Sequence, residues 1–154
     1  MIRSILVVCI GNICRSPMAQ GALARALPGL AVHSAGIDAM MGHSADPLAQ
    51  QVMREQGIDI SAHRAQNLTG RMVGEADLIL TMDAQQKRFI ELQHATSKGK
   101  VVRLGEYGSY DIPDPYQQDF AAFQRVHELI AFGVNALTLR VAHANKPHSY
   151  RQSR

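Results

Sequence analysis

The chain has 154 residues, 46% of them hydrophobic and 19% charged, with twelve glycines and six prolines. A chain of this length buries one core of ordinary size without metal or disulfide staples, and its apolar content excludes a disordered or low-complexity protein. Sixteen Lys and Arg against thirteen Asp and Glu leave a formal charge of +3, part of it on Lys146, Arg151 and Arg154 near the end; the dense basic stripe of a nucleic-acid binder is missing.

The longest apolar run, Ile5 to Ile10, is six residues. A helix that crosses a bilayer needs about twenty, and the apolar core of a signal peptide roughly seven to fifteen. Val7 and Val8 are not the small residues that a lipoprotein cleavage site before Cys9 would want. No membrane span is expected, and a cytoplasmic location is. Two cysteines, Cys9 and Cys14, cannot frame a disulfide scaffold; in a reducing compartment a close pair points to chemistry.

In chain order, Ser4 to Cys9 is a continuous β-branched run, the pattern of a strand buried on both faces. A polar turn follows, and Ser16-Pro17 reads as an N-cap with a proline at the first helical position. Met18, Ala19, Ala22, Leu23, Ala26 and Leu27 continue at helical spacing until Pro28-Gly29. Leu30 to Ser34 reads as a second strand ending at Ala35-Gly36. Asp46-Pro47 opens a helix with Leu48, Val52 and Met53 as its stripe and Gly57 at its end. Asp77 to Met82 is a third strand, with Asp83 placed to cap the next helix, and Val101 to Leu104 a fourth. Phe120, Phe123, Ile130, Val134, Leu137 and Val141 mark a long C-terminal helix. Alternating strands and helices imply an α/β fold, a parallel sheet with helices on both faces. The reading is one domain over residues 1–143 and a basic, frayed tail over 144–154, with no repeat or linker.

Ligands of such sheets bind beyond the carboxyl ends of the strands, which directs attention to the turn after the first strand. Five residues separate Cys9 from Arg15 on a path from buried strand to helix start. Such a path wraps backbone N–H groups of Ile10, Gly11, Asn12, Ile13 and Cys14 around a concave site at the positive end of a helix, a cradle for a tetrahedral oxyanion. Gly11 is expected to supply the positive φ of the wrap. Arg15 adds a planar fork for two phosphate oxygens. The field that holds phosphate also favours a thiolate at Cys9, and Ser16 can donate to its sulfur. Attack of that sulfur on phosphorus would give a cysteinyl-phosphate. A cysteine in a buried strand is ordinarily just a small apolar residue; the full string from Cys9 to Pro17 at this place in the architecture argues for chemistry. No zinc-ligand spacing and no nucleotide P-loop are present, so neither a metal nor a cofactor is expected.

Ester cleavage needs a general acid. The stiff segment Asp111-Ile112-Pro113-Asp114-Pro115-Tyr116 offers Asp114, with Asp111 as the spare. Asp46 is read as a helix cap.

These strings, with Ser34-Ala35-Gly36, the stretch from Gly57 to Ala65 and Leu78 to Asp83 between them in order, resemble the low-molecular-weight protein-tyrosine phosphatases from Ile5 to about Val141, particularly bacterial members encoded with exopolysaccharide or capsule export. The resemblance implies a single-domain, three-layer Rossmann-like fold whose four-stranded parallel sheet runs 2-1-3-4. It implies Cys9 as nucleophile, Arg15 as phosphate binder and Asp114 as acid, with Ser16 supporting the thiolate. Asn12 and His63 would brace the loop, and Asp83 is counted with them as a supporting residue. The segment 38–43 would line the pocket wall, with Met40 or Met41 beside Tyr116. The implied ligands are phosphate, sulfate or vanadate, and the implied substrate a phosphotyrosine protein, a bacterial tyrosine autokinase of polysaccharide export. Cys14 is the expected redox partner of Cys9. An arsenate reductase of the same fold would need cysteines beyond Cys14. A protein-arginine phosphatase resembles this chain less, because threonine would stand where Ile13 does. A non-catalytic phosphotyrosine-binding module would need neither Cys9 nor Asp114.

Overall fold

The computed structural model describes residues 1–147. Four parallel strands, β1 (Ser4–Cys9), β2 (Ala31–Gly36), β3 (Leu78–Thr81) and β4 (Val101–Arg103), form one sheet in the order β2-β1-β3-β4. The central strand β1 aligns Cys9 with Gly36 of β2 and Val8 with Thr81 of β3. Its residues alternate between two cores. Ile5, Val7 and Cys9 face Met18, Leu23, Met53, Phe123 and Ile130, brought by helices α1 (Arg15–Ala26), α2 (Pro47–Glu55) and α5 (Phe120–Ala144). Leu6 and Val8 face Val73 and Ile90, from α3 (Gly70–Glu75) and α4 (Ala84–Gln93). Both faces are covered, which is why β1 reads as an unbroken apolar run and not as an alternation. The order and the three layers are those the resemblance implied.

Caps explain several helix starts. Asp46 accepts from the Leu48 N–H at 2.8 Å and Asp83 from the Gln86 N–H at 2.8 Å. Gly57, with φ of 74°, follows α2 in the left-handed conformation that ends helices. On α5 the buried stripe is Phe123, Val126, Ile130, Val134, Leu137 and Val141, while Phe120 is only half-buried.

Two elements differ from the sequence reading. The first is α1, which starts at Arg15 and not after Ser16, so Pro17 is its third residue; the Ser16 hydroxyl is engaged elsewhere. The second is α3, for which no helical stripe was visible. It has six residues, two of them glycine, and Val73 is its one buried side chain. Its signal is the cap, Thr69, whose hydroxyl accepts from the Met72 N–H at 3.2 Å. The tail expected from 144 begins with a tether: the Asn145 side chain accepts from Ile2 N–H at 2.8 Å and donates to Ile2 C=O at 2.7 Å. Residues 148–154, including Arg151 and Arg154, lie outside the described residues. Among the described residues no helix is long and apolar enough to cross a membrane.

Close packing of α5 on the end of β4 depends on Gly133. A Cβ there would stand 2.6 Å from the Leu104 carbonyl oxygen. Gly133→Ala is expected to lower stability by about 1–3 kcal/mol, read as a lower urea midpoint at unchanged slope. Gly74→Ala on α3, where an added Cβ meets nothing within 4 Å, should leave the midpoint unchanged or slightly raised.

Candidate active site

At the carboxyl end of β1 the chain leaves the sheet at Cys9 and enters α1 at Arg15. The loop between them curls over the helix start. Cys14, which precedes α1, provides no side-chain cap. Among the described residues the N–H groups of Gly11, Ile13 and Cys14 meet no protein acceptor. Unpaired donors around a helix N-terminus make an anion cradle. Cys9 sits in it: its sulfur lies 2.9 Å from the Ser16 hydroxyl and accepts the Asn12 N–H at 3.3 Å. This contact, rather than capping, is the work of Ser16.

The left-handed residue of the loop is Asn12, with φ of 59°, and not Gly11. A Cβ at Gly11 would make only ordinary contacts, 3.8 Å from Ile13 and Met40 side-chain atoms. Asn12 tolerates the conformation because its side chain is fully used. Its amide nitrogen donates to Ser16 at 2.7 Å and to Ser34 at 3.0 Å, and its amide oxygen accepts the Gln66 N–H at 3.0 Å. His63 holds the backbone side, with Nε2 2.6 Å from the Asn12 carbonyl oxygen. Burial pulls the His63 pKa below its ordinary value; the neutral ring carries its proton on Nε2 and donates it to that carbonyl. The glycine the loop does require is Gly36 on β2, where a Cβ would run into the Ile10 carbonyl oxygen.

Arg15 is 4% exposed, so its charge must be compensated. Nη1 donates to the Ile112 carbonyl at 2.9 Å. Asp83 lies 3.8 Å from Nη1 and Asp114 3.7 Å from Nη2. Both carboxylates are beyond hydrogen-bond length, so they steady the fork while leaving N–H groups for a ligand. Asp114 stands half-exposed over the cavity, its own turn closed by the Tyr116 N–H at 3.1 Å. Asp111 is elsewhere: it pairs with Arg103 at 3.0 Å and accepts the Ala84 N–H at 3.1 Å.

A cavity of about 190 Å³ is lined by the loop from Cys9 to Arg15 together with Asp38, Met40, Asp114 and Tyr116. It compares with the ~150 Å³ cavity that accommodates one benzene ring. Of the two methionines considered for the wall, Met40 lines it. Met41 does not: it is 59% exposed and its sulfur accepts the Asn67 N–H at 3.1 Å, because the backbone turns at Gly42 and sends successive side chains apart. Asp38 and Met40 are the residues of the expected wall segment 38–43 that line the cavity; sequence reasoning missed Ser34 and Gln66 as partners of Asn12. Ser34, a buried polar residue at the end of a strand, was the available signal. Among the described residues no group of three or more potential metal ligands occurs.

The description "Low molecular weight phosphotyrosine protein phosphatase" matches residues 4–147. The probable low molecular weight protein-tyrosine-phosphatase EpsP of Ralstonia nicotianae is 55% identical over 141 residues, 92% of this chain and 97% of its own. Among solved structures, the tyrosine phosphatase Wzb from Escherichia coli K30 in complex with sulphate has a TM-score of 0.88 at 33% identity, covering 92% of this chain and 99% of that one. The YwlE arginine phosphatase from Geobacillus stearothermophilus has a TM-score of 0.87 at 30% identity, covering 95% and 99%. The chain belongs to the low molecular weight phosphotyrosine protein phosphatase family.

Asn12→Ala should leave buried partners unsatisfied and place an alanine in the left-handed region, a loss of about 2–4 kcal/mol by the usual sizes of the two effects. Asn12→Gly should recover the backbone share, about 1 kcal/mol, and no more. Urea unfolding of the two variants beside the parent checks both numbers.

Proposed function

We propose that this protein-tyrosine phosphatase hydrolyses phosphotyrosine with Cys9 as nucleophile, Arg15 as phosphate binder and Asp114 as general acid and base. The observation that carries the reading is the convergence of those three groups on one cavity. In the first step the Cys9 thiolate attacks phosphorus, the bond to the phenolic oxygen breaks, and Asp114 gives that oxygen its proton. Loop N–H groups and the Arg15 fork hold the three equatorial oxygens. In the second step water attacks the cysteinyl-phosphate, Asp114 takes a proton from it, and thiolate and inorganic phosphate are released. The Ser16 hydroxyl, 2.9 Å from the sulfur, supports the thiolate as leaving group. Phosphate, sulfate and vanadate bind the same cradle.

The apolar wall of Ile13, Met40 and Tyr116 favours a ring over an aliphatic ester. Phosphotyrosine also reaches farther from its backbone than phosphoserine. Ile13 at this wall favours an aryl phosphate over phosphoarginine. The resemblance to exopolysaccharide-linked bacterial phosphatases supports a tyrosine autokinase of polysaccharide export as the physiological substrate. Two unpaired thiols, Cys9 and Cys14, support a reducing, cytoplasmic location.

Cys9→Ser should abolish turnover of p-nitrophenyl phosphate while retaining vanadate binding by calorimetry; more than a few per cent of activity would overturn the mechanism. Asp114→Asn should lower kcat roughly 10²- to 10⁴-fold on phenyl phosphate. Its loss should be smaller on p-nitrophenyl phosphate, whose leaving group needs less protonation. Asp111→Asn should do less damage than Asp114→Asn on either ester.

Cys14 is the redox partner in this reading. Peroxide oxidises the Cys9 thiolate to the sulfenic acid, the peroxide leaving as hydroxide, and the Cys14 thiol condenses with that acid, releasing water and forming a disulfide. Burial pushes the Cys14 pKa far up, with Asp46, Asp114 and Cys9 adding to it; because the thiolate is the attacking form, the trapping step is slow. After peroxide and dithiothreitol the parent should recover activity and Cys14→Ser should not; equal recovery would refute the role.

A further inference from the structure

Beside the cavity lies a second groove of about 490 Å³ that shares Ile13, Met40 and Tyr116 with it. Its other lining includes the polar side chains of His43, Ser44, Asp46 and Arg64. Any chain attached to a ring in the cavity must leave across this rim or the opposite one. Arg64 is held on the groove by its own loop: one guanidinium nitrogen, Nη1, donates to the carbonyls of Ser61 at 3.2 Å and His63 at 2.7 Å. The loop is itself docked on the phosphate cradle through His63 and Asn12. Reciprocal bonds, Gly42 N–H to Ala65 C=O at 2.9 Å and Ala65 N–H to His43 C=O at 2.8 Å, join it to the segment that carries His43. The cation is therefore placed at a fixed offset from the cradle by backbone contacts.

Among the described residues no carboxylate lies within ion-pair distance of Arg64. Asp46, the acidic group of the groove, accepts the Leu48 N–H at the start of α2, where the helix N-terminus offsets its charge. Asp38 and Asp114 line the cavity and not the groove. The groove thus presents one uncompensated cation beside a cradle that already requires an anion.

We infer that Arg64 is a specificity residue that receives an acidic side chain, glutamate or aspartate, adjacent to the phosphotyrosine of the substrate. This rests on the phosphotyrosine phosphatase reading and deepens it. An exposed pair of this kind is worth about a two- to fivefold preference, expressed in KM with kcat unchanged, because the contact is the same in ground and transition states. Salt should erode it.

The test uses phosphotyrosine peptides identical except for glutamate, glutamine or lysine on either side of the phosphotyrosine, compared by the ratio of their KM values. The parent should prefer glutamate on one side by about two- to fivefold. Arg64→Gln should flatten the ratio, and Arg64→Glu should invert it toward lysine, an outcome that a merely loosened loop does not produce. Arg88→Ala, an exposed cation on α4, should leave the preference intact. A parent that does not distinguish the peptides, or a preference that survives in Arg64→Glu, overturns the proposal. Fluorescence polarisation of the same labelled peptides on the Cys9→Ser variant reads the groove independently of turnover. Failure of every peptide to be hydrolysed therefore counts against the phosphatase reading alone, and equal binding of the glutamate and lysine peptides counts against Arg64.

Discussion

Buried at the turn between β1 and α1, Asn12 keeps a left-handed backbone while its side chain ties together α1, β2 and the loop after Ala65. The conformation costs about 1–2 kcal/mol for a residue with a side chain, and three side-chain bonds with a fourth to its carbonyl from His63 offset that cost. The curl this enforces directs N–H groups inward and sets the Cys9 sulfur against Ser16. Without it the segment from Cys9 to Arg15 would be an ordinary strand-to-helix connection. The bracing residues therefore matter as much as the loop: Ser34 lies on β2, donating in turn to Gln20 of α1 at 2.6 Å, and Gln66 donates to the Ser34 carbonyl at 3.0 Å. A cradle built on such connections is rigid before any ligand arrives, which is what electrostatic stabilisation of a transition state requires.

Charge is balanced on the same principle. A buried guanidinium with no partner would be strongly destabilising, yet a tightly paired one would have no capacity for phosphate. Arg15 lies between these limits, with one carbonyl bond and two carboxylates at 3.7–3.8 Å. Asp83 combines this with capping α4, so a single side chain couples helix formation to the orientation of the Arg15 guanidinium. Asp114 is the more exposed of the two, as suits the acid and base role proposed for it.

The sheet accounts for why these groups meet. Parallel strands place their carboxyl ends on one edge, and the segments after β1, β2 and β4 all emerge there. Cys9 comes from the first, Met40 from the second and Asp114 from the third. The groove that carries Arg64 adjoins the cavity and shares Ile13, Met40 and Tyr116 with it, so both are built on adjacent loops of one frame.

Local pattern was enough for much of this protein. The run Ser4 to Cys9, the Asp46-Pro47 and Asp83 caps and the stripe of α5 are short-range signals, because burial on both faces, capping and amphipathic periodicity act over a few residues. The Cys9 to Arg15 string and the Asp-Pro segment are legible for the same reason: the chemistry demands particular residue types at fixed spacing. What the sequence could not decide was anything set by a distant partner. Asn12 rather than Gly11 takes the positive φ because Ser34 and Gln66 arrive from other elements. Gly36 is required because the Ile10 carbonyl packs on it across the sheet. Asp111 and Met41 are removed from the site by Arg103 and Asn67, and α3 forms because Val73 finds a place in the core. Each outcome depends on contacts between residues far apart in the chain, which only the folded packing brings together.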